Sequence, residues 1–349
     1  MKILINGNLG YIGPIVARHF RQKFPQSRLV GYDSGFFAGC LLDPQLLPEV
    51  VLDEQLYGDV RRPVAGLYRD VNAVVQLAAI SNDPMGNKFE QVTLAVNTDA
   101  VVQAARDAKA AGATHFVFAS SCSVYGAGGE GAKTEDSPLN PLTAYARSKI
   151  AAEEALAPLA GPGFAITCLR FATACGLSPR LRLDLVLNDF VASALAAGKI
   201  TILSDGTPWR PLIHVNDMAR AIEWASTRAV ANGGPFVVVN VGSDVWNYQV
   251  KDLALAVQKE LGNVEVSINT NAAPDKRSYR VNFARWAALA PQHQAVETLP
   301  GSVQALAAGL RTVGFNDANF RTSNLIRLKV LSDLQTRGAL DANLHWAKA

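Results

Sequence analysis

The chain opens on three consecutive aliphatic residues, Ile3, Leu4 and Ile5, before Asn6 and Gly7 interrupt them. Similar short apolar runs recur at 28–33, 73–78, 115–120, 165–170 and 236–241, each bounded by glycine, proline or polar residues. Runs of this length predict buried strands. Between them lie stretches with helical character, notably the alanine-rich 93–111 and 143–159. Strands alternating with helices predict an α/β fold built on a doubly wound parallel sheet. The pattern changes after Arg170. Glycine, proline and arginine surround a predicted helix at 186–197, while 253–261 and 324–337 read as helical and 274–282 as mixed. The expected division is a nucleotide-type domain of residues 1–172 plus 212–241 and a smaller mixed α/β lobe of residues 173–211 plus 242–349. No internal repeat or low-complexity tract interrupts it.

Composition narrows this picture without redirecting it. A chain of 349 residues, 49% hydrophobic and 18% charged, is a packed globular protein with room for a second lobe. Its 33 basic and 30 acidic residues leave a net charge of +3, too balanced to predict a nucleic-acid partner. No apolar run nears the roughly 18 residues of a membrane helix, and the opening segment reads as a strand, not a signal peptide. Cys40, Cys122, Cys168 and Cys175 show neither CxxC spacing nor a nearby histidine. No metal site is expected, and reduced thiols suit a cytoplasmic protein.

The first strand runs into Asn6-Gly-Asn-Leu-Gly-Tyr-Ile-Gly13, which places Gly7, Gly10 and Gly13 between a strand and a helix. That spacing serves a tight turn, close approach to a pyrophosphate and close helix–strand packing. The helix N-terminus then offers N–H groups to the anion. Asp33 closes the second strand about 20 residues later, where a carboxylate accepts from both adenosine ribose hydroxyls and repels a 2′-phosphate. The expected cofactor is NAD, on a Rossmann-type domain, with Tyr11 and Ile12 of the turn at its side. Asp59 and Val60 follow a third strand, where Asp59 either reaches the adenine amino group or serves as a surface turn residue.

Tyr145 and Lys149 stand at i and i+4 on one predicted helix face. A phenol with its usual pKa near 10 is a poor base, and a neighbouring ammonium favours the phenolate. The segment FASSCSVYG at 118–126 adds three hydroxyls and a thiol. Cys122 has no histidine nearby in sequence to activate it, so it reads as a small buried filler, with His214 as the one residue left to approach it in space.

Together the glycine triplet, Asp33, the Ser-Ser-x-x-Val-Tyr-Gly segment and Tyr-x-x-x-Lys resemble the extended short-chain dehydrogenase/reductases. Within them the likeness is to the NAD-dependent epimerase/dehydratase family that modifies nucleotide sugars, similar to UDP-glucose/galactose 4-epimerases. It is strong up to Arg170 and looser beyond. The resemblance implies that Ser121 hydrogen-bonds the reacting sugar oxygen and that Tyr145 is the acid/base. Lys149 would hold the nicotinamide ribose and lower the Tyr145 pKa. Asn97 would match the family's structural asparagine beside the cofactor, and Leu77, Ala78 and Ala79 the cofactor-lining turn. Ser81, Ser123 and Thr173 fall on the substrate side, Thr173 standing where the family carries an asparagine. Arg210 would bind the diphosphate, with Arg277 or Arg280 as the second phosphate contact, since the family's usual arginine position holds Ala272. Tyr279 would line the hexose pocket and disfavour an N-acetylated sugar. The stretch 178–184 is atypical.

The resemblance leaves several reactions open. An epimerase, most simply at C4, oxidises and re-reduces one sugar carbon, whereas a keto-sugar reductase or dehydrogenase runs only half of that cycle. In the 4,6-dehydratases two acids follow the Ser121 position, but here Cys122 and Ser123 do. A non-catalytic NAD(P)-sensing protein would have lost the tyrosine–lysine pair. The expected partners are a nucleotide-diphosphate sugar and a second copy of the chain, since 93–111 and 143–159 match the helices that form homodimers in relatives.

Overall fold

The six short apolar runs lie side by side, joined at one edge by a seventh strand, in the computed structural model, which describes residues 1–272 and 277–347. The chain begins with β1 (Lys2–Asn6), α1 (Gly13–Lys23), β2 (Arg28–Asp33), β3 (Glu54–Tyr57), β4 (Ala73–Gln76), α2 (Asp83–Lys88), α3 (Glu90–Leu94) and α4 (Ala100–Ala110). It continues with β5 (His115–Ser121), β6 (Ala127–Lys133), α5 (Ala144–Leu156), β7 (Ala165–Phe171), β8 (Thr173–Cys175), α6 (Val186–Ala197), β9 (Lys199–Ile202) and β10 (Trp209–His214). The remainder is α7 (Val215–Thr227), β11 (Phe236–Val241), β12 (Asn247–Gln249), α8 (Val250–Leu261), β13 (Glu265–Ile268), β14 (Ser278–Val281), α9 (Ala284–Leu289), α10 (Leu299–Thr312) and α11 (Arg327–Thr336).

The main sheet has the order β11-β7-β5-β4-β1-β2-β3, with every neighbouring pair parallel. Side chains alternate across it. Ile3, Ile5, Val75 and Val117 point to one face, where α1 and α7 bury Phe20 and Ile222. Leu4, Val74, Phe116 and Ile166 point to the other, against the alanines of α4 and α5. Burial on both faces explains why the strands read as continuous apolar runs. The order in which successive strands are added reverses between β1 and β4, so a crevice opens beyond their carboxyl ends.

Outside the main sheet lie three small ones: β12-β10-β8, β13 beside β9, and β14 beside β6. The last pair joins 127–133, inside the first half of the chain, to a strand near residue 280. α11 and the residues after it run the other way: Leu331, Leu334, Leu340 and Leu344 bury against Ile80, Met85 and Phe89 on the side of the main sheet.

Two expected elements change shape for identifiable reasons. The single helix anticipated at 93–111 is α3 and α4 joined by a π-helical turn, Ala95–Asp99. That turn carries the buried Asn97, whose side chain bonds the backbone of Ile80. The strand anticipated at 73–78 stops at Gln76, because the Leu77 and Ala78 amides both turn to the Asn6 carbonyl. Of the stretch expected to be mixed, 274–276 lies outside the described residues. Among the described residues no helix is long and apolar enough to cross a membrane, and no cluster of metal-ligating side chains is found.

The turn after β1 yields a contrast between two glycines. Gly7 has φ +83°, and a Cβ there would lie 2.4 Å from the Ala78 amide nitrogen, whereas one on Gly10 meets only the Gly7 carbonyl at 3.2 Å. Gly7→Ala is expected to lower the melting temperature by roughly 5 °C or more, the scale of a few kcal/mol in a chain of this size. Gly10→Ala is expected to leave it within about 2 °C. Differential scanning calorimetry of the two variants checks the ranking.

Candidate active site

A cleft of about 650 Å³ occupies the crevice beyond the carboxyl ends of the main-sheet strands. Gly7, Gly10, Tyr11, Ile12 and Gly13 form its floor where β1 passes into α1. Gly13 is also sterically required, since a Cβ there would meet the Asn8 carbonyl at 2.1 Å. The Tyr11 phenol turns away from the floor, donating to the Gly176 carbonyl at 2.5 Å and accepting from Asn188. Leu77, Ala78 and Ala79 line the opposite side.

Asp33 sits at one end of the cleft, its oxygens accepting from the amides of Leu9 at 3.0 Å and Gly35 at 2.7 Å. Each oxygen keeps a lone pair for a further donor such as a ribose hydroxyl. Burial raises its pKa against these hydrogen bonds. Asp59 and Val60 also line this end, but Arg61 grips the Asp59 carboxylate through Nε and Nη2. A glycine cradle closed by backbone, a helix N-terminus and an unphosphorylated-diol acceptor together fit NAD.

At the other end β5 delivers Ser121 and α5 delivers Tyr145 and Lys149. Thr143 caps α5, its hydroxyl accepting from the Ala146 amide and donating to Asp83. Lys149 donates to the Ala119 carbonyl at 2.8 Å and lies 4.6 Å above the Phe118 ring and 5.5 Å from the Tyr145 ring. Burial depresses its pKa to about 7. Tyr145 is pushed up to about 12 by burial, opposed by its hydrogen bond with Ser121. The lowering of the phenol expected from Lys149 is therefore not the governing influence in this structure. A lysine titrating near neutrality carries only part of its charge there, and desolvation of the phenolate outweighs it.

Cys122 is fully buried with Sγ donating to the Arg170 carbonyl, and burial pushes its thiol far up, so it is no nucleophile. His214 lies elsewhere: it packs under Gly176 and caps α7 by accepting from the Asn216 amide. Ser123 lines the cleft, and its buried Oγ has no partner within the protein.

Thr173, Arg210, Arg277 and Tyr279 all line the cleft. Arg277 reaches across the rim to Asp83 at 2.9 Å, Arg210 donates to the Trp209 carbonyl, and Tyr279 packs edge-on to Tyr125. Ser81 is engaged by Arg182 through both its hydroxyl and its carbonyl. Asn97 is the exception. It does not reach the cleft, and instead bonds Ile80 and the Ser148 hydroxyl, tying the turn after β4 to α5 one residue before Lys149. It is a positioning residue, not a cofactor contact.

Sequence reasoning did not single out two buried arginines of the cleft wall. Arg182 pairs with Asp184 through Nε and Nη2, and Arg327 donates to the Arg180 carbonyl with its guanidinium over Phe37. Arg182 belongs to the atypical stretch 178–184, which was a usable signal; Arg327 arrives from α11 with no local sign.

Comparison with known proteins agrees with this geometry. The model of the family described as "NAD dependent epimerase/dehydratase family" matches residues 3–242. A UDP-glucose 4-epimerase of Lactobacillus helveticus is 25% identical over 247 residues, covering 63% of this chain and 70% of that protein. A dTDP-glucose 4,6-dehydratase of Streptomyces griseus is 29% identical over 227 residues, covering 64% and 66%. The solved structure of UDP-glucuronic acid 4-epimerase from Bacillus cereus, in complex with UDP-glucuronic acid and NAD, shares the fold. Its TM-score is 0.75 at 23% identity over 90% of this chain and 100% of that one.

The buried Lys149 makes stability depend on pH with a definite sign. Its ammonium titrates near 7 in the folded chain and near 10.5 when unfolded, so between these values the unfolded state binds more protons. From pH 7 to 9 the wild type is expected to gain stability relative to Lys149→Met by roughly 1 kcal/mol per pH unit. Urea denaturation across that range checks this, and parallel curves for the two proteins contradict it.

Proposed function

The chain belongs to the NAD dependent epimerase/dehydratase family, and we propose that within it the protein is a nucleotide-sugar 4-epimerase working through a transient keto sugar. NAD, when bound, supplies the hydride acceptor and donor; the cleft residues hold the sugar and move its proton. Tyr145 takes the proton of the 4-hydroxyl and later returns one to the 4-keto oxygen. Ser121, already hydrogen-bonded to that phenol, orients the reacting oxygen. Lys149 holds the nicotinamide ribose, and its pKa near neutrality lets it give up or take a proton as the phenol changes state.

The observation that carries epimerisation over dehydration is the state of the acids. Residues 122 and 123 offer a buried thiol and a hydroxyl. The cleft carboxylates nearest the sugar end are engaged, Asp83 by Thr143 and Arg277, and Asp184 by Arg182 and Asn82. Asp184 is held below its usual pKa, with the Arg182 guanidinium opposing burial, which leaves it unsuited to donate a proton to a departing hydroxyl. For binding, Arg210 and Arg277 suit the diphosphate, since a guanidinium fork matches phosphate oxygens. Ser123, with its unpartnered hydroxyl, and Thr173 suit sugar hydroxyls. Tyr279 fills the pocket where an N-acetyl group would stand. A keto-sugar reductase uses the same proton chemistry, and the cofactor balance separates the two.

Incubation with catalytic NAD⁺ and a panel of UDP-, GDP-, CDP- and dTDP-hexoses, read by proton NMR, is expected to show inversion at C4 without stoichiometric NADH. Net NADH formation instead identifies a dehydrogenase, and a 6-deoxy-4-keto product a dehydratase. Tyr145→Phe is expected to lower kcat by roughly 10²-fold or more, the usual worth of a positioned acid/base. Its NADH affinity, measured by fluorescence, is expected to stay within about threefold, since the phenol's contribution is to proton transfer.

A further inference from the structure

Beyond α11 the chain returns to the adenosine end of the cleft. Residues 339–347 form a closed turn: Asp341 accepts from the amides of Asn343 and His345, Leu340 bridges Trp346, and the Ala347 amide reaches the Ala339 carbonyl. Three bonds fasten this turn to the nucleotide loops. The Trp346 indole N–H donates to the Ser34 carbonyl at 2.6 Å, immediately after Asp33. Arg61, while holding Asp59, donates to the carbonyls of Asn343 at 2.7 Å and Leu344 at 3.1 Å. The Trp346 ring also lies against Phe36, with centroids 5.6 Å apart.

Leu344 is the telling residue. It has φ +55°, in the left-handed region where a leucine is seldom found. Its side chain is fully buried and lines the cleft beside the residues that follow Asp33 and Asp59. A backbone outlier held by bonds on both sides, with its side chain in a ligand cleft, points to a role in that cleft. A purine base needs apolar walls beside its ribose, and Phe36, Val60 and Leu344 supply them there.

We propose that residues 339–347 are a clasp on the adenosine end of the dinucleotide cleft and that Leu344, with Arg61 and Trp346 as its fasteners, sets how long NAD stays bound. The inference rests on the NAD reading of the cleft and adds a wall to it from a segment distant in sequence. Retention has chemical value in an epimerase. A hydride taken from a sugar must return to that same sugar, and cofactor loss in between strands the keto intermediate.

The test uses NADH fluorescence titration and stopped-flow displacement on the full chain, comparing wild type with Trp346→Ala and Leu344→Gly. Glycine accepts the left-handed backbone, so Leu344→Gly deletes the wall while relaxing the turn. Both variants are expected to release NADH roughly tenfold faster or more, the result of losing the buried Leu344 contact or the Trp346 bond that fastens it. Release within twofold of wild type overturns the clasp. Hydrogen exchange on the wild type gives an answer independent of how the variants fold: NAD is expected to slow exchange at 343–346, and unchanged exchange there overturns the proposal. A wild type that takes up no NADH would instead defeat the NAD reading itself.

Discussion

A buried carboxylate holds the reactive end of this protein together. Glu153, one turn beyond Lys149 on α5, accepts from the Ser120 hydroxyl at 2.5 Å and from Nε and Nη2 of Arg170. Both members of the ion pair are buried. Three elements, β5, β7 and α5, are thereby fixed at one point, and that point adjoins Ser121 on one side and Lys149 on the other. The network continues from Arg170 to the Tyr125 hydroxyl and on to Asn240 of β11. Removing one partner of such a pair leaves an uncompensated buried charge and costs about 3–5 kcal/mol. The distance between the hydroxyl of β5 and the phenol of α5 is thus set by a structure that resists adjustment, which is what a proton-transfer site requires.

The same burial determines the chemistry. Desolvation moves Lys149 down and Tyr145 up, so each prefers its neutral form in the protein's own low-dielectric environment. A neutral phenol hydrogen-bonded to Ser121 is ready to give a proton to a keto oxygen. In the proposed reaction, taking a proton from a hydroxyl would need added positive charge near the phenol, which a protonated Lys149 and a bound oxidised cofactor would supply. On that proposal, proton direction would follow the redox state of the cofactor, the coupling that reversible oxidation of an alcohol needs.

Much of this was legible in the sequence because it depends on local spacing. The glycines after β1, Asp33 at the end of β2 and Tyr145 with Lys149 on one helix face each carry their geometry within a few residues, and each lines the cleft. Where local spacing was the only guide, the outcome differed. Asn97 was expected beside the cofactor but acts through Ile80 and Ser148, because a π turn rotates it into the protein interior. Arg182, Arg327 and Leu344 were not singled out as site residues. The last two come from residues 327–347, whose placement depends on packing against Ile80, Met85 and Phe89 some 240 residues earlier. No pattern within the segment reports that contact.

The proposed clasp and the clamped site would serve one constraint at two ends of the cleft: holding the cofactor while a sugar carbon is oxidised and reduced. The most direct measurement follows a single hydride. A nucleotide hexose deuterated at C4 is converted in the presence of excess unlabelled NADH, and the product is read by mass spectrometry and NMR. The account predicts that deuterium stays at C4 in the inverted sugar, with none in the free NADH pool. Loss of the label to that pool, or to solvent, contradicts it.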